Sequence, residues 1–258
     1  MWRRRCRQTR FGRACRSGWE LATASGRVLR AVSPHLDDAV LSCGLLLAGN
    51  PGSRVTTVFA SGPARVDPLT EWDRASRLFR DGDDVMSARR SEEARAAAVL
   101  GVLSQPLEFW DAQYRFDERF GYRGPTGQDL LDAVERELAR VAAADPVDAW
   151  LIPLGLGHDD HRISAQAAMA VAMKSGVDVY VYQELPYALE SAVEVGEQLG
   201  ALGSMGLRCV ADSSLRWCEE RSLKREAVMC YRSQRRALGR RARLAIRGPE
   251  WVARIDPA

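Results

Sequence analysis

No stretch of the sequence approaches the roughly 20 consecutive apolar residues that a membrane-spanning helix needs, so no membrane partner is expected. The six cysteines include no Cys-x-x-Cys pair and show no regular spacing, which excludes a cysteine-based zinc knuckle. A disulfide framework is not expected in a chain of 258 residues. We therefore predict reduced thiols in a cytoplasmic protein. The G-x-S-x-G and Walker A motifs are also absent.

Acidic residues are missing from two arginine-rich segments near the ends of the chain. Residues 1–16 and 232–247 each carry seven arginines and no Asp or Glu. Residues 17–231 hold 22 Lys and Arg against 32 Asp and Glu, which gives a net charge near −10. A region with this net negative charge repels the phosphate backbone of nucleic acids, so a nucleic-acid partner is not expected.

The chain has no long linker rich in Pro, Gly and Ser, which favours a single domain. We predict a basic N-terminal extension at residues 1–26, the functional domain at 27–236 and a basic C-terminal tail at 237–258. The sequence leaves the formation of a homo-oligomer open.

Strand-like and helix-like patterns alternate along the domain. Strands are predicted at Arg27–Ser33, Val55–Ala60, Leu107–Trp110, Ala149–Leu154 and Val177–Tyr182, and helices at Asp38–Ala48, Ser87–Leu100, Gln128–Ala144, Ile163–Lys174 and Leu215–Arg236. This alternation predicts an α/β fold with a mainly parallel sheet and right-handed crossovers. Residues 62–86 are predicted to form a long polar loop.

The three histidines of the chain all lie in two short clusters, Pro34–Asp38 and His158–His161, and each cluster contains a pair of aspartates. Both clusters follow predicted strands, and open α/β sheets bind ligands at the carboxyl ends of their strands. Histidine and carboxylate together are ligands for Zn²⁺ or Fe²⁺. We therefore predict a catalytic metal site, with two histidines and one carboxylate as the usual ligand set. The remaining aspartate and histidine are then left to act on water and on a substrate carbonyl.

Four segments of the chain, in this order, resemble the PIG-L/LmbE family of metal-dependent N-deacetylases. The matching segments are Pro34–Asp38 for the family pattern P-H-P-D-D, Arg89–Glu92 with Leu100–Gly101 for R-x-x-E…L-G, His158–His161 for H-P-D-H, and Lys224–Ala227 with Tyr231–Gln234 for K-x-x-A…Y-x-S-Q. Leu36 and Asp159 replace the two prolines of these patterns, and Ala39 stands where the family usually has glutamate. None of the three departures removes a metal ligand, although the loss of the glutamate puts the substrate in doubt.

The resemblance implies a Rossmann-like domain, with helices on both faces of the sheet, that binds one Zn²⁺. Carried over residue by residue, it makes His35, Asp38 and His161 the metal ligands. The same ligands suit Fe²⁺ as well.

The resemblance also implies catalytic roles for three further residues. Asp37 would act as the general base on the attacking water and later as the acid toward the leaving amine. His158 would stabilise the developing oxyanion. Asp160 would orient one of the histidines or tune its charge.

Four residues are predicted to bind the substrate. Arg89 and Asp111 are candidates to hold sugar hydroxyls, and the rings of Trp110 and Tyr114 are candidates to stack on the sugar.

The predicted function is metal-dependent removal of an N-acetyl or other N-acyl group from an amino sugar or glycoside in natural-product biosynthesis. Two alternatives remain open at this point. One is an amidase that acts on a thiol-sugar conjugate or on a longer N-acyl chain, and the other is a non-catalytic small-molecule binding protein with the same fold.

Overall fold

The structure is a computed structural model that describes residues 26–215 and 220–257. The strands are β1 (Leu29–Ser33), β2 (Arg54–Thr57), β3 (Leu103–Pro106), β4 (Ala149–Pro153), β5 (Asp178–Tyr182), β6 (Leu207–Leu215) and β7 (Glu250–Pro257). The helices are α1 (Asp38–Ala48), α2 (Glu71–Ser76), α3 (Val85–Leu100), α4 (Ala112–Arg115), α5 (Gly127–Ala144), α6 (Asp159–Ala172), α7 (Tyr187–Glu190), α8 (Ala192–Ser204), α9 (Glu220–Cys230), α10 (Arg232–Leu238) and α11 (Arg240–Arg247). The predicted extension at 1–26 lies outside the described residues, apart from Gly26.

The described strands form one seven-stranded sheet in the order β3-β2-β1-β4-β5-β7-β6. The five strands from β3 to β5 are parallel, and β7 and β6 continue the sheet in antiparallel pairing. The strand order reverses between β1 and β4. In an open α/β sheet such a reversal leaves a crevice outside the carboxyl ends of the two strands.

Helices cover both faces of the sheet, as predicted. On one face, α1, α3 and α9 pack with the apolar side chains of β1 and β4 in one buried cluster. On the other face, α5 and α6 pack against the opposite sides of the same strands in a second cluster. Both faces of the parallel strands are therefore apolar and buried, which explains their nearly continuous hydrophobic sequences.

The range 237–258, predicted as a basic tail, contains the helix α11 and the strand β7, which pairs with β5 and β6. Glu250 opens β7 and is 1% exposed. Its carboxylate accepts hydrogen bonds from the backbone N–H groups of Leu45 and Leu46. These groups follow a non-helical residue, Cys43, inside α1. The segment therefore supports the helix that carries Asp38.

The prediction of one long helix at Leu215–Arg236 is wrong. Leu215 ends β6, residues 216–219 lie outside the described range, and α9 and α10 are separated at Tyr231. The Tyr231 side chain is 1% exposed, and its hydroxyl donates a hydrogen bond to Glu93 at 2.5 Å. This buried contact fixes the break in the helix.

Two smaller differences concern the middle of the chain. The residues of the strand predicted at Leu107–Trp110 make only isolated bridges, and the third strand is β3, immediately before them. The predicted loop at 62–86 contains the short helix α2. Within the described ranges, no helix is both long and apolar enough to cross a membrane.

Candidate metal centre and active site

The crevice between β1 and β4 brings the two histidine clusters together. His35 follows β1, and His158 and His161 lie at the start of α6, directly after the turn that leaves β4. The His35 ring centroid lies 5.1 Å from that of His158 and 5.2 Å from that of His161. One ring nitrogen of each histidine lies within 4.8 Å of the other two. The convergence expected from the strand ends is therefore present.

Asp38 lies between two of these histidines. Its Oδ2 atom is 3.1 Å from His35 Nδ1 and 3.4 Å from His161 Nε2. Ligands bound at about 2.0–2.1 Å in a tetrahedral zinc site lie about 3.3 Å from one another. The Asp38 carboxylate therefore lies at about the ligand-to-ligand distance of a zinc site from both His35 and His161.

His161 is held from behind by a buried glutamate. Its Nδ1 atom lies 3.2 Å from Glu184 Oε1, and both side chains are fully buried. The same carboxylate accepts hydrogen bonds from the backbone N–H groups of Leu154, Gly155 and Leu156. Four donors thus fix this carboxylate, and it fixes the imidazole with Nδ1 protonated.

His35 is held in the same way by Asp160. Its Nε2 atom lies 3.0 Å from Asp160 Oδ2, which also accepts a hydrogen bond from the Ala112 backbone N–H. The other oxygen of Asp160 accepts a hydrogen bond from Arg115. The fully buried Asp160 therefore engages His35 Nε2 and leaves His35 Nδ1 facing Asp38, and its role in orienting this histidine stays a prediction.

The residues fit a divalent metal. His161 Nε2 is a buried atom with no hydrogen-bond partner among the described residues, and it points toward Asp38. A ring nitrogen in that position suits a metal ligand. Asp111, His35 and Asp160 form a second acceptor cluster, but both oxygens of Asp160 are already engaged by protein donors.

Asp37 lies beside this cluster in a strained backbone conformation. Its φ of 140° lies in a region that residues other than glycine rarely adopt. Its N–H donates to the His35 carbonyl at 3.0 Å in the tight turn before α1. Its carboxylate lines the cavity described below and makes no side-chain hydrogen bond to the described residues. The strained turn places an unengaged carboxylate next to the ligand cluster.

Burial and charge act differently on the two adjacent aspartates. Burial and the neighbouring Asp38 carboxylate raise the pKa of Asp37 well above its usual range. Burial also tends to raise the pKa of Asp38, but the neighbouring histidines outweigh it and hold this pKa at about 2. Burial tends to lower the pKa of His35, whereas its hydrogen bonds to Asp160 and Asp38 raise it well above its usual range. Burial and charge therefore shift the pKa values of the two adjacent carboxylates in opposite directions.

A cavity of about 570 Å³ opens over the cluster. This volume falls within the range of small-molecule sites. Its wall includes the predicted residues His35, Asp37, Asp38, His158, Arg89 and Asp111. Trp72 and Tyr187 add aromatic surface, and Trp72 Nε1 donates to Gln234 at 3.0 Å across the wall.

Arg89 and Asp111 reach the cavity, but both are also engaged within the protein. Arg89 donates to Asp73 at 2.6 Å and is 2% exposed. Asp111 caps α4 by accepting from the Gln113 N–H, and its carboxylate lies 3.7 Å from Arg89. Their binding of sugar hydroxyls stays a prediction.

The structure does not bring Trp110 or Tyr114 to the cavity. Tyr114 is fully buried, and its hydroxyl donates to Asp73 at 3.0 Å. Trp110 packs against Tyr122, with ring centroids 5.3 Å apart, and contacts a satellite core. Both predictions are corrected on this ground, because aromatic residues that follow a strand end can also fill the core beneath it.

Glu184 and Arg115 were not predicted from the sequence. Glu184 follows β5 at the same edge of the sheet as the histidine clusters, which was the one available signal. Gly157 is also needed here. Its φ is 96°, and a side chain would meet the Tyr187 ring at 2.7 Å. Tyr187 in turn lies 4.8 Å from the His161 ring, so the turn is closely packed around the site.

A mainly parallel α/β sheet with histidine and aspartate donors at its switch point and a carboxylate beside them fits the class of metal-dependent hydrolases. The family model described as PIG-L, GlcNAc-PI de-N-acetylase, matches residues 30–172. The chain belongs to this family, and it is an N-deacetylase.

Three similar proteins extend this comparison. A 2'-N-acetylparomamine deacetylase from Streptomyces fradiae is 34% identical over 199 residues, which cover 70% of this chain and 68% of the relative. A deacetylase triple mutant from the teicoplanin biosynthetic pathway has a TM-score of 0.71 at 28% identity, over 90% of this chain and 98% of that chain. The zinc-inhibited form of a teicoplanin deacetylase has a TM-score of 0.69 at 25% identity, over 89% and 98% of the two chains.

Proposed function

We propose that this enzyme uses one Zn²⁺ ion to remove the acetyl group from an N-acetylated amino sugar within an antibiotic-type glycoside. The observation that carries the proposal is the convergence of His35, Asp38 and His161, with two of their ring nitrogens backed by buried carboxylates. Such backing is the usual surrounding of a functional metal site.

His35 Nδ1, Asp38 Oδ2 and His161 Nε2 would hold the ion. Three protein ligands are the number found in catalytic zinc sites, which keep one position open. When bound there, a zinc ion supplies a Lewis acid that polarises the amide carbonyl and makes water acidic enough to attack near neutral pH.

Asp37 is the general base in this proposal. Its carboxylate is next to the ligand Asp38 in the chain, lines the cavity and is not engaged by another side chain. It takes the proton from the attacking water and then delivers a proton to the leaving amine nitrogen as the C–N bond breaks. The products are acetate and the free amino sugar.

His158 stabilises the negative charge that develops on the carbonyl oxygen. It lines the cavity, and its ring lies 4.8 Å from that of His161. Among the described residues no hydrogen bond of its ring is found, so the ring is free to donate to substrate.

The amino-sugar substrate is supported by the relatives and by the cavity. One relative is named a 2'-N-acetylparomamine deacetylase, and two solved structures are deacetylases connected with teicoplanin. Trp72 and Tyr187 offer ring faces at the cavity wall, and Arg89 and Asp111 offer polar atoms for hydroxyls. We take an acetylated amino sugar carried on a larger scaffold as the substrate class.

The test is acetate release from 2'-N-acetylparomamine and from an N-acetylglucosaminyl glycopeptide. The protein is first stripped with a chelator and then given one equivalent of Zn²⁺ or of Fe²⁺. We expect no release from stripped protein and full release after zinc addition. Because one similar structure is a zinc-inhibited form, the titration continues beyond one equivalent to detect inhibition by excess zinc.

Two results would overturn the proposal. Equal acetate release from stripped and zinc-loaded protein would exclude a metal-dependent reaction. Tight binding of an N-acetyl amino sugar without any turnover, under both metals, would leave the non-catalytic binding protein as the better description. Faster turnover with Fe²⁺ than with Zn²⁺ would correct the metal alone.

A further inference from the structure

A second, larger concavity of about 1140 Å³ lies behind the wall of the catalytic cavity. The two share helices, since Trp72 and Gln234 face the first cavity while Ser76 and Arg235 line the second. We refer to the second concavity as the arginine groove, because eight arginines of the described residues line it.

The eight arginines come from four neighbouring segments. Helix α11 supplies Arg240, Arg243 and Arg247, which are spaced to share one helix face. Helix α10 supplies Arg235 and Arg236.

The opposite side of the groove completes the set. Arg221 and Arg225 come from α9, and Arg77 follows α2 directly. No carboxylate of the described residues is part of the groove wall.

None of these eight arginines forms an ion pair within the described part of the chain. The neighbouring Arg241, which does not line the groove, pairs with Glu190 at 2.5 Å. Seven of the eight are exposed, and Arg235 is half-buried. Eight guanidinium groups that repel one another around a concave surface are electrostatically complementary to a multiply charged anion.

The rest of the lining indicates which kind of anion fits. Ala75, Met229, Ala242 and Ile246 place apolar surface among the arginines, and none of the described residues that line the groove is aromatic. Single-stranded nucleic acids are usually bound by aromatic stacking, for which the described lining offers no ring. A flat bilayer surface does not enter a concavity. Apolar surface flanked by planar guanidinium groups suits a helix with an apolar face and carboxylates along its edges.

We propose that the arginine groove docks an acidic amphipathic helix of a partner protein. The seven arginines of residues 1–16 give that segment the wrong charge to occupy the groove itself. The acidic helix α5 of a second copy is a poorer occupant, because its Glu135 and Glu137 are already paired with Lys174 and Arg140. This proposal is independent of the deacetylase reaction.

The probe is a fluorescent synthetic helical peptide with leucine and alanine on one face and glutamates along both edges. Its control is a peptide of the same composition whose scrambled order destroys the amphipathic pattern. Binding to the full chain is followed by fluorescence anisotropy. We expect the patterned peptide to bind at least about tenfold more tightly than the scrambled one, and binding to weaken from about 0.05 to about 0.5 M salt as the charges are screened.

The variant that tests the location is R240Q/R243Q/R247Q, and R221Q/R225Q provides an independent second variant on α9. The matched control is R123Q/R136Q/R208Q, which removes three exposed arginines outside the groove that also lack ion pairs among the described residues. We expect about a tenfold loss of peptide affinity in the triple groove variant, because each exposed ion pair contributes modestly, and little change in the control. Deacetylation should be unchanged in all three variants.

Several outcomes would overturn the proposal. These are equal binding of the two peptides, equal loss of affinity in the groove and control variants, and no binding of the patterned peptide. Tighter groove-dependent binding of duplex DNA or of phosphatidylserine vesicles would assign the groove to nucleic acid or to a membrane instead. A groove-dependent dimer at low salt would assign it to a second copy of the chain.

Discussion

The polar side chains around the catalytic cavity fall into two groups that differ in how they are held. His35, Asp38 and His161 are each engaged by other protein groups, through Asp160, the His35 N–H and Glu184 respectively. The side chains of Asp37 and His158 make no hydrogen bond to the described residues. The same crevice therefore contains histidine and aspartate side chains that other protein groups hold in place, and others that no such hydrogen bond holds.

The difference indicates how the site divides its work. A metal ligand benefits from a fixed orientation and tautomer, which a supporting carboxylate provides. A group that exchanges protons or hydrogen bonds with a substrate needs free valences before the substrate arrives. The anchored residues are thus suited to the metal, and the unanchored ones to the chemistry. The predictions below test this division.

The largest effect is expected from removing an anchored residue. His161→Ala deletes one of three proposed ligands and should reduce bound zinc from about one ion per chain to almost none, with complete loss of deacetylation. Elemental mass spectrometry on purified protein measures the metal. His158→Ala is the matched control, because it removes a histidine of the same cluster that is not anchored. Retention of zinc by His161→Ala would contradict the assignment of the anchored residues to the metal ion.

Removing the unanchored carboxylate should separate metal from activity. Asp37→Asn keeps the size of the side chain but removes the base, so we expect deacetylation to fall by about 10²–10⁴-fold, the usual contribution of general acid–base catalysis. The zinc content should remain that of the unaltered enzyme. Near-normal turnover in this variant would show that another group takes the proton.

The unanchored histidine should behave in the same manner, with a smaller effect. His158→Ala is expected to lower kcat by about 10²–10³-fold, as for the loss of one oxyanion donor, while zinc stays bound. Steady-state kinetics and metal analysis on the same preparation check both halves. Loss of zinc in this variant would show that His158 helps to hold the metal ion.

The anchors themselves can be tested without touching a ligand. In Glu184→Gln an amide NH₂ replaces one of the oxygens that accept hydrogen bonds from backbone N–H groups and from His161. We expect zinc affinity to fall by about 10–100-fold, as for other second-sphere changes. Competition with a chromogenic chelator measures the affinity.

Glu194→Gln is a matched control for this measurement. Glu194 accepts a hydrogen bond from the Gly157 N–H in the same turn but contacts no histidine in the described residues. An equal loss of zinc affinity in both variants would indicate a general loosening of the turn rather than an effect on His161.

The convergence of the two histidine clusters could be predicted from the sequence because the residues of each cluster are consecutive in the chain. Each cluster lies within four or five consecutive residues at a strand end, so the fold class and the strand-end rule together bring them to one place. Glu184 and Arg115 act singly, and an isolated glutamate or arginine carries no pattern that marks it as buried. Their roles follow from packing, which the sequence does not display.

Packing that the sequence does not display also explains why residues 237–258, predicted as a basic tail, form the helix α11 and the strand β7. In α11 the buried face consists of Ala242 and Ala245, and its other positions include four arginines. Small buried residues give a weak apolar periodicity, so the pattern predicts a basic tail rather than a helix that leads into β7. Ala39, which stands where the family usually has glutamate, is fully buried in the apolar cluster between α1 and the sheet.

The smallest effect is expected at a residue that the sequence assigned to the substrate and the structure buries. Tyr114→Phe removes a hydroxyl that donates to Asp73, while Arg89 continues to pair with the same carboxylate. We expect the free energy of unfolding to fall by about 1.5–3 kcal/mol, as for a buried hydrogen bond to a charged group, with kcat/KM unchanged. Urea denaturation and steady-state kinetics measure the two quantities.

Trp72→Phe is the comparison variant, since it removes a hydrogen bond to Gln234 in the cavity wall and should raise KM. A rise in KM for Tyr114→Phe with unchanged stability would return that residue to the substrate site and contradict its place in the core.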